Sequence, residues 1–439
     1  MNLRKTLIYS TLIILTISGI NGFLIEEGLI NIDRSLLNLA LDVALVIVAI
    51  FSIQSTKYIN RLLILFFIFI ILTLISYTLN FRDLSPTIYF NGMREFLPYF
   101  LFPIIFYNIF QSNLRNVFIL KFNTFLYIFL TLQIPISLYQ FHINGAGDEV
   151  GGTQGAGFSG IITFIVFLAT YYLISQGLDE ENIIKSFLKK SYLLIFWIPA
   201  FINETKISFI LISIFVILLV KASISNFRKY ILIAILLIPI LFIFNSIYRS
   251  VVTNFDSTEF LKMDFLRNYL ASDDANYDDI PRFQRIAIYM SEFEPEEVLF
   301  GKGIGQFKGG TTVELTPFAS SYEWLLQGSR SMFFFLLVQI GIIGSILFIF
   351  YWFFLISLRQ KKLRVNYSGN LIIFATACFI IIQFYNDSFR SLFFCGIIMY
   401  IMFYAMSQKK IKSAFSIDSL TFNPRKNDSP KSNFRNINL

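Results

Sequence analysis

Residues 331–357 read SMFFFLLVQIGIIGSILFIFYWFFLIS, 27 positions in a row without a charged side chain. About 20 mostly apolar residues suffice for a helix to cross a bilayer. The stretch is continuously apolar and does not alternate as a barrel strand would, so it predicts a helical membrane span. Both flanks agree. Arg359, Lys361, Lys362 and Arg364 follow it, and a polar segment rich in acids precedes it.

The whole chain has the same character. Of its 439 residues, 56% are hydrophobic and only 15% charged, and the mean hydropathy is +0.66. A soluble chain carries about 25% charge, so a soluble enzyme, a nucleic-acid-binding protein and a disordered scaffold are excluded. Cys378 and Cys395 both lie in apolar runs, with no CxxC pattern to hold a metal or carry redox chemistry. His142 is the only histidine, which makes a His-based zinc site or a Ser-His-Asp triad hard to build.

Apolar segments recur near 6–22, 36–53, 62–79, 96–110, 122–141, 158–175, 191–203, 207–220, 230–246, 331–357, 371–385 and 391–406. The expected fold is therefore all-α and polytopic, with about 12 transmembrane helices and one large outer loop. The first segment ends without a small-x-small cleavage pattern, so it reads as a span and not a signal peptide. With both termini cytoplasmic, sixteen Lys and Arg fall in the inner loops. Only Arg34, Arg82, Arg94, Lys206 and Arg390 fall in the short outer ones. That asymmetry follows the positive-inside rule, so the net charge of +8 is a topology signal. The basic flanks of 191–220 make one crossing there unfavourable. Two short helices joined by Asn203-Glu204-Thr205-Lys206 fit better, and their turn would sit below the outer surface.

Four regions follow. Residues 1–246 form a membrane domain of nine spans, and 247–330 an extracytoplasmic loop with short helices. Residues 331–407 supply three more spans, and 408–439 a disordered basic cytoplasmic tail. The loop carries 13 acidic and 8 basic residues. Ser257–Ala271 reads as an amphipathic helix, and Pro281 as the first residue of a second one reaching about Phe293. Asp273–Asp279 lacks the glycine and closing Glu of a calcium loop. Gly301-Lys302-Gly303-Ile304-Gly305 reads as a tight turn, since it matches no Walker loop. The glycine-rich run Gly145–Gly160 reads as a flexible outer loop.

Arg282 and Arg285 are three apart on the predicted helix and share a face. Two planar forks of donors there suit a phosphate or diphosphate, although salt bridges to the acids of the loop are the plainer alternative. Glu204 and Lys206 are ionisable groups at membrane depth, where charge is expensive and usually functional; a structural Glu–Lys pair is the alternative. Arg94, Lys206, Arg282, Arg285, Arg330 and Arg390 all lie on the outer side, against the positive-inside rule, and a shared anionic ligand would explain them together. Asp42, Glu204, Glu323 and Asp387 are the possible proton acceptors. Of these, Asp42 reads as a neutral buried acid and Asp387 as a helix cap.

Four ordered motifs resemble the O-antigen polymerase and ligase group of bacterial surface-polysaccharide enzymes. Leu132-Gln133-Ile134-Pro135 to Gln140, followed by the glycine-rich run and Gly157-Phe158-Ser159-Gly160, resembles the group's fifth and sixth spans. Asn203-Glu204-Thr205-Lys206 lies where the group has a basic residue between two short helices. Arg282 and Arg285 with Val298-Leu299-Phe300-Gly301-Lys302-Gly303 resemble its arginine helix and fGxG segment. Gln339-Ile340-Gly341-Ile342-Ile343-Gly344 resembles its GxxG. Ligase members place a His-Asn pair eleven residues before that first glycine, where this chain has Arg330-Ser331. The departure favours a polymerase over a ligase.

The resemblance implies a GT-C-like enzyme of the bacterial cytoplasmic membrane that makes O-antigen or capsule. It would move a glycan from a polyprenyl diphosphate carrier to a hydroxyl of another carrier-linked repeat unit. Arg282, Arg285 and Arg330 would hold diphosphate, with Lys206, Arg94 and Arg390 binding substrate and Glu204 or Glu323 acting as base. Its partners would be the polyprenyl diphosphate-linked oligosaccharide, the lipid bilayer, a chain-length regulator and a flippase. No metal, cofactor or nucleic acid is implied. A glycan ligase and a lipid-linked glycan flippase are the competing readings.

Overall fold

Helices supply the regular structure of the residues that the computed structural model describes, which are 3–145, 147–176, 189–203, 207–221, 239, 280–307, 315–326, 330–357 and 367–407; no strand occurs among them. In the first part of the chain these are α1 (Leu3–Glu26), α2 (Arg34–Ser52), α3 (Lys57–Leu79), α4 (Pro86–Met93), α5 (Leu97–Gln111), α6 (Arg115–Asn144), α7 (Ser159–Ser175), α8 (Ile198–Ile202) and α9 (Ile207–Lys221). The large loop contributes α10 (Arg282–Glu292), α11 (Pro295–Phe300), α12 (Pro317–Ser321) and α13 (Glu323–Leu326). It is followed by α14 (Met332–Ser357), α15 (Tyr367–Tyr385) and α16 (Leu392–Ser407).

Local chemistry sets several of these boundaries. Asp33 caps α2 by accepting from the Leu36 amide at 3.0 Å, and Thr56 caps α3 through the Ile59 amide at 3.2 Å. Ser85 accepts from the Ile88 amide at 3.3 Å, with Pro86 in the first turn of α4. Each polar side chain satisfies an amide that the helix itself leaves open.

Five helices (α1, α2, α3, α6 and α14) are long and apolar enough to cross a membrane. Six further apolar segments have 10–17 residues, which at 1.5 Å per residue is short for a full crossing. The structure thus supports an α-helical, membrane-embedded protein, with five helices of spanning length among the described residues; twelve spans were expected of the whole chain. Segment 230–246 apart from residue 239, together with Ser257–Ala271, Asp273–Asp279 and the tail 408–439, lies outside the described residues, as do Glu204 and Lys206. Residues 191–202 and 207–221 form two separate helical pieces, as expected. The first begins with a 3-10 stretch, Ser191–Trp197.

Exposure separates the rim from the centre. Only 22% of the most apolar window of α3 is buried and 28% of that of α2, against 61% for α14. Apolar faces such as Ile64, Phe67, Ile71 and Leu74 of α3 are tolerable only against lipid or a partner. The centre is built from rings. Tyr99 stacks on Phe348 at 3.9 Å, Trp352 on Phe379 at 4.4 Å, and Phe389 meets Tyr99 edge-on at 5.5 Å.

The described part of the large loop rests on α14. Tyr289, Phe293, Phe318 and Leu325 form one apolar cluster with Phe334, Leu337 and Val338. Below it, α14 is broken at Gly341, whose φ of 65° is left-handed. The break frees carbonyl groups, and neighbours claim them. The Lys302 amide donates to Val338 O at 2.7 Å, and Ser76 Oγ donates to Gln339 O at 3.3 Å. Gly301 and Gly341 face each other so closely that a Cβ on either would lie within 2.6 Å of the other segment's backbone. The tight-turn expectation for Gly301–Gly305 therefore acquires a cause: the turn repairs a broken helix.

Candidate functional site

A cavity of about 650 Å³ gathers Arg34, Arg94, Arg282, Arg330 and Arg390 on its wall, from segments spread over more than 350 positions of sequence. Its volume lies in the range of ordinary small-molecule sites, about 300–1,000 Å³. Four carboxylates share the wall: Asp42, Glu95, Asp148 and Asp387.

Arg94 follows the last residue of the capped helix α4. Its Nε donates to Asp42 Oδ2 at 2.8 Å, and its Nη1 to Asn91 Oδ1 at 2.8 Å. Asp42 is thus an ion-pair partner, in place of the neutral acid expected from its depth in α2. Arg390 lies in the 3-10 turn Ser388–Arg390 between α15 and α16. Phe389, 1% exposed, plugs that turn into the ring cluster, which leaves Arg390 to reach Glu95 and Asp387. It donates to Glu95 Oε1 at 3.0 and 2.6 Å and to Asp387 Oδ2 at 2.7 Å. Asp387, expected as a cap, makes no capping bond and serves this network.

Arg330 is held differently. Its Nε lies 3.8 Å from Asp387 Oδ2, too far for a hydrogen bond. Its guanidinium sits 5.1 Å over the Phe307 ring, as Arg390 sits 4.8 Å over Phe335, and these two rings are themselves 5.1 Å apart. Aromatic faces orient a guanidinium without consuming its donors.

The electrostatics diverge accordingly. For Arg390, burial works against the charge, but Glu95 and Asp387 outweigh it and hold the proton more firmly than in an ordinary arginine. For Arg330, burial and the neighbouring Arg390 lower the pKa, and Asp387 and Glu95 offset this only in part. Burial would push the Asp387 carboxyl up, yet Arg390 and Arg330 hold it below its usual range.

Arg282 and Arg285 do not act together. Arg282 opens α10 and lies 4.9 Å over the Tyr385 ring, while Phe283 stacks on Phe384 at 5.5 Å, so the first turn of α10 grips the end of α15. One turn on, Arg285 is 1% exposed and faces away from the cavity. It donates from Nε to Ile280 O at 3.0 Å and from Nη1 to Leu325 O at 2.6 Å. The second bond ties α10 to α13. Three residues on a helix are about 60° short of a full turn, enough to send one arginine to the cavity and the other under the loop. Glu323 is exposed at the start of α13 and is not on the cavity wall.

The glycine-rich run departs from the flexible loop expected of it. Gln133 and Gln140, two turns apart on α6, pin it down. The Gly152 amide donates to Gln140 Oε1 at 2.7 Å and the Thr153 amide to Gln133 Oε1 at 3.0 Å. Arg34 adds a third tie, donating to Gln154 O at 3.0 Å and to Glu26 Oε1 at 3.2 Å, with its guanidinium 4.7 Å over Phe158. Gln154, Gly157, Phe158 and Ser159 thereby become cavity wall.

Sequence reasoning brought forward Arg94, Arg282, Arg330 and Arg390, which the cavity unites. It passed over Arg34, Glu95 and Asp148 as site residues. Arg34 was visible as one of the five basic residues of the short outer loops, and Glu95 as an acid beside Arg94. No group of three or more potential metal ligands occurs among the described residues. No protein-family model matches this chain, nor does any curated protein or solved structure.

Proposed function

We propose that this chain is an integral-membrane polysaccharide polymerase making O-antigen or capsule. Its cavity would transfer a glycan from a polyprenyl diphosphate carrier to a hydroxyl of a second carrier-linked repeat unit. The observation that carries this reading is the convergence of Arg94, Arg282, Arg330 and Arg390 with Arg34 on one cavity. As the sugar–diphosphate bond breaks, negative charge grows on the departing oxygen. Donors fixed beforehand at that point are often the largest single contribution to catalysis. Arg330 suits the role best, because it is oriented by a ring and lies beyond hydrogen-bond reach of Asp387. Arg390 and Arg94, engaged with carboxylates, position the wall. Arg285 is read as a tie of the loop fold.

The reading includes a twelve-span, GT-C-like arrangement in the bacterial cytoplasmic membrane, with both termini inside and the cavity facing outward. The test is a deletion strain complemented with wild type, Arg282→Ala or Arg330→Ala at equal membrane levels. Wild type is expected to restore long-chain surface glycan. Each variant is expected to leave single carrier-linked repeat units on the outer face. Long chains from both variants would remove the site assignment, and units trapped on the inner face would favour a flippase.

A further inference from the structure

Of the four carboxylates on the cavity wall, three are committed to arginines. Asp42 holds Arg94 at 2.8 Å, Glu95 holds Arg390 at 2.6 Å, and Asp387 holds Arg390 at 2.7 Å with Arg330 at 3.8 Å. A carboxylate bound to a guanidinium is a poor proton acceptor, because taking the proton breaks the pair. Asp148 stands apart. It is exposed to the cavity, and among the described residues no Arg or Lys lies within ion-pair distance of it.

Asp148 is also held in place. Ser159 Oγ, at the start of α7, donates to its Oδ1 at 2.6 Å, and the Gly157 amide donates to its backbone carbonyl at 2.8 Å. Gly157, with φ of 77°, makes the reversal that brings these groups together. The second carboxylate oxygen, Oδ2, accepts no hydrogen bond from the described residues. Gln133, Gln140 and Arg34 fix the rest of the run, so the carboxylate sits on an anchored loop.

We infer that Asp148 is the proton acceptor of this cavity, activating a sugar hydroxyl opposite the arginines. The assignment rests on the transfer reaction proposed above. The acceptor oxygen forms a bond to the anomeric carbon of the donor as the bond from that carbon to diphosphate breaks. The bonding pair leaves on the diphosphate oxygen, and the hydroxyl proton passes to Asp148 Oδ2 and then to water. Ser159 is a positioning residue, holding Oδ1 and leaving Oδ2 open.

The test uses the full chain in lipid nanodiscs, with carrier-linked repeat units extracted from the deletion strain as substrate. Asp148→Asn is expected to slow transfer about 100-fold or more, the usual range for losing a general base. Its binding of undecaprenyl diphosphate is expected to stay within twofold of wild type. Asp148→Glu should recover part of the rate. A rate within threefold of wild type overturns the assignment, as does a parallel loss of carrier binding. Absence of transfer by wild type itself would instead overturn the polymerase reading, and this assignment with it.

Discussion

Two glycine-rich turns look alike in sequence and do opposite work. Gly151–Gly160 folds over the cavity and lends it Gln154, Gly157, Phe158 and Ser159. Gly301–Gly305 contributes nothing to the cavity wall and closes the break in α14 at Gly341. The difference lies in their neighbours. The first turn is pinned by the side-chain amides of Gln133 and Gln140 and the guanidinium of Arg34, and its close main-chain approach, Gln154 against Gly22 of α1, spares its own Gly157. The second meets backbone, with Gly301 and Gly341 too close for a Cβ. A run of glycines reports that a turn is needed, and the partners decide whether it serves the fold or the site.

That distinction can be broken by substitution. The largest effect is expected for Gly301→Val or Gly341→Val, which combine left-handed backbone with a clash against main chain. Each should cost more than about 4 kcal/mol, seen as loss of monodisperse protein in detergent. Glu95→Gln should cost about 3 kcal/mol in thermal unfolding, since it leaves the guanidinium of Arg390 underpaired in a mostly buried place. Gln133→Leu strips the Thr153 amide of its acceptor and should cost about 1–3 kcal/mol. Its glycan output should fall further than its stability, because the loop is cavity wall.

Gly157→Ala sharpens the contrast. A Cβ there meets nothing within 4 Å, so only the left-handed backbone is penalised, by about 1–2 kcal/mol. Should it unfold the protein as Gly341→Val does, the two turns are not different in kind. The smallest effect concerns acid. Arg390 and Arg330 hold the folded Asp387 carboxyl below its unfolded value of about 3.9. Its stabilisation is therefore complete above about pH 5 and is lost as pH falls through the folded value. The side chain is 25% exposed, so the contribution is about 1 kcal/mol. Asp387→Asn should flatten the acid side of the unfolding-temperature profile, below about pH 5.

The helical segments were legible because continuous apolar sequence has few other uses, and α10 was placed to within a residue by Pro281 and its pattern. The outer arginines were legible because they contradict the charge asymmetry of the loops. What escaped was everything decided by long-range packing. The 60° between Arg282 and Arg285 becomes a difference in fate only once Leu325 arrives to accept from Arg285. Glu95 gains its importance from a residue 295 positions away. The order of the glycine-rich run depends on Gln133 and Gln140 pointing at it from α6, which no local pattern announces.

The most direct test of the proposal that the cavity grips diphosphate is binding of undecaprenyl diphosphate to the purified chain in nanodiscs, wild type beside Arg330→Ala. Because the contact is charge on charge, affinity should weaken with salt, and Arg330→Ala should lose at least tenfold while binding undecaprenyl alcohol unchanged. Equal affinity of the two proteins for the diphosphate, independent of salt, would contradict the account.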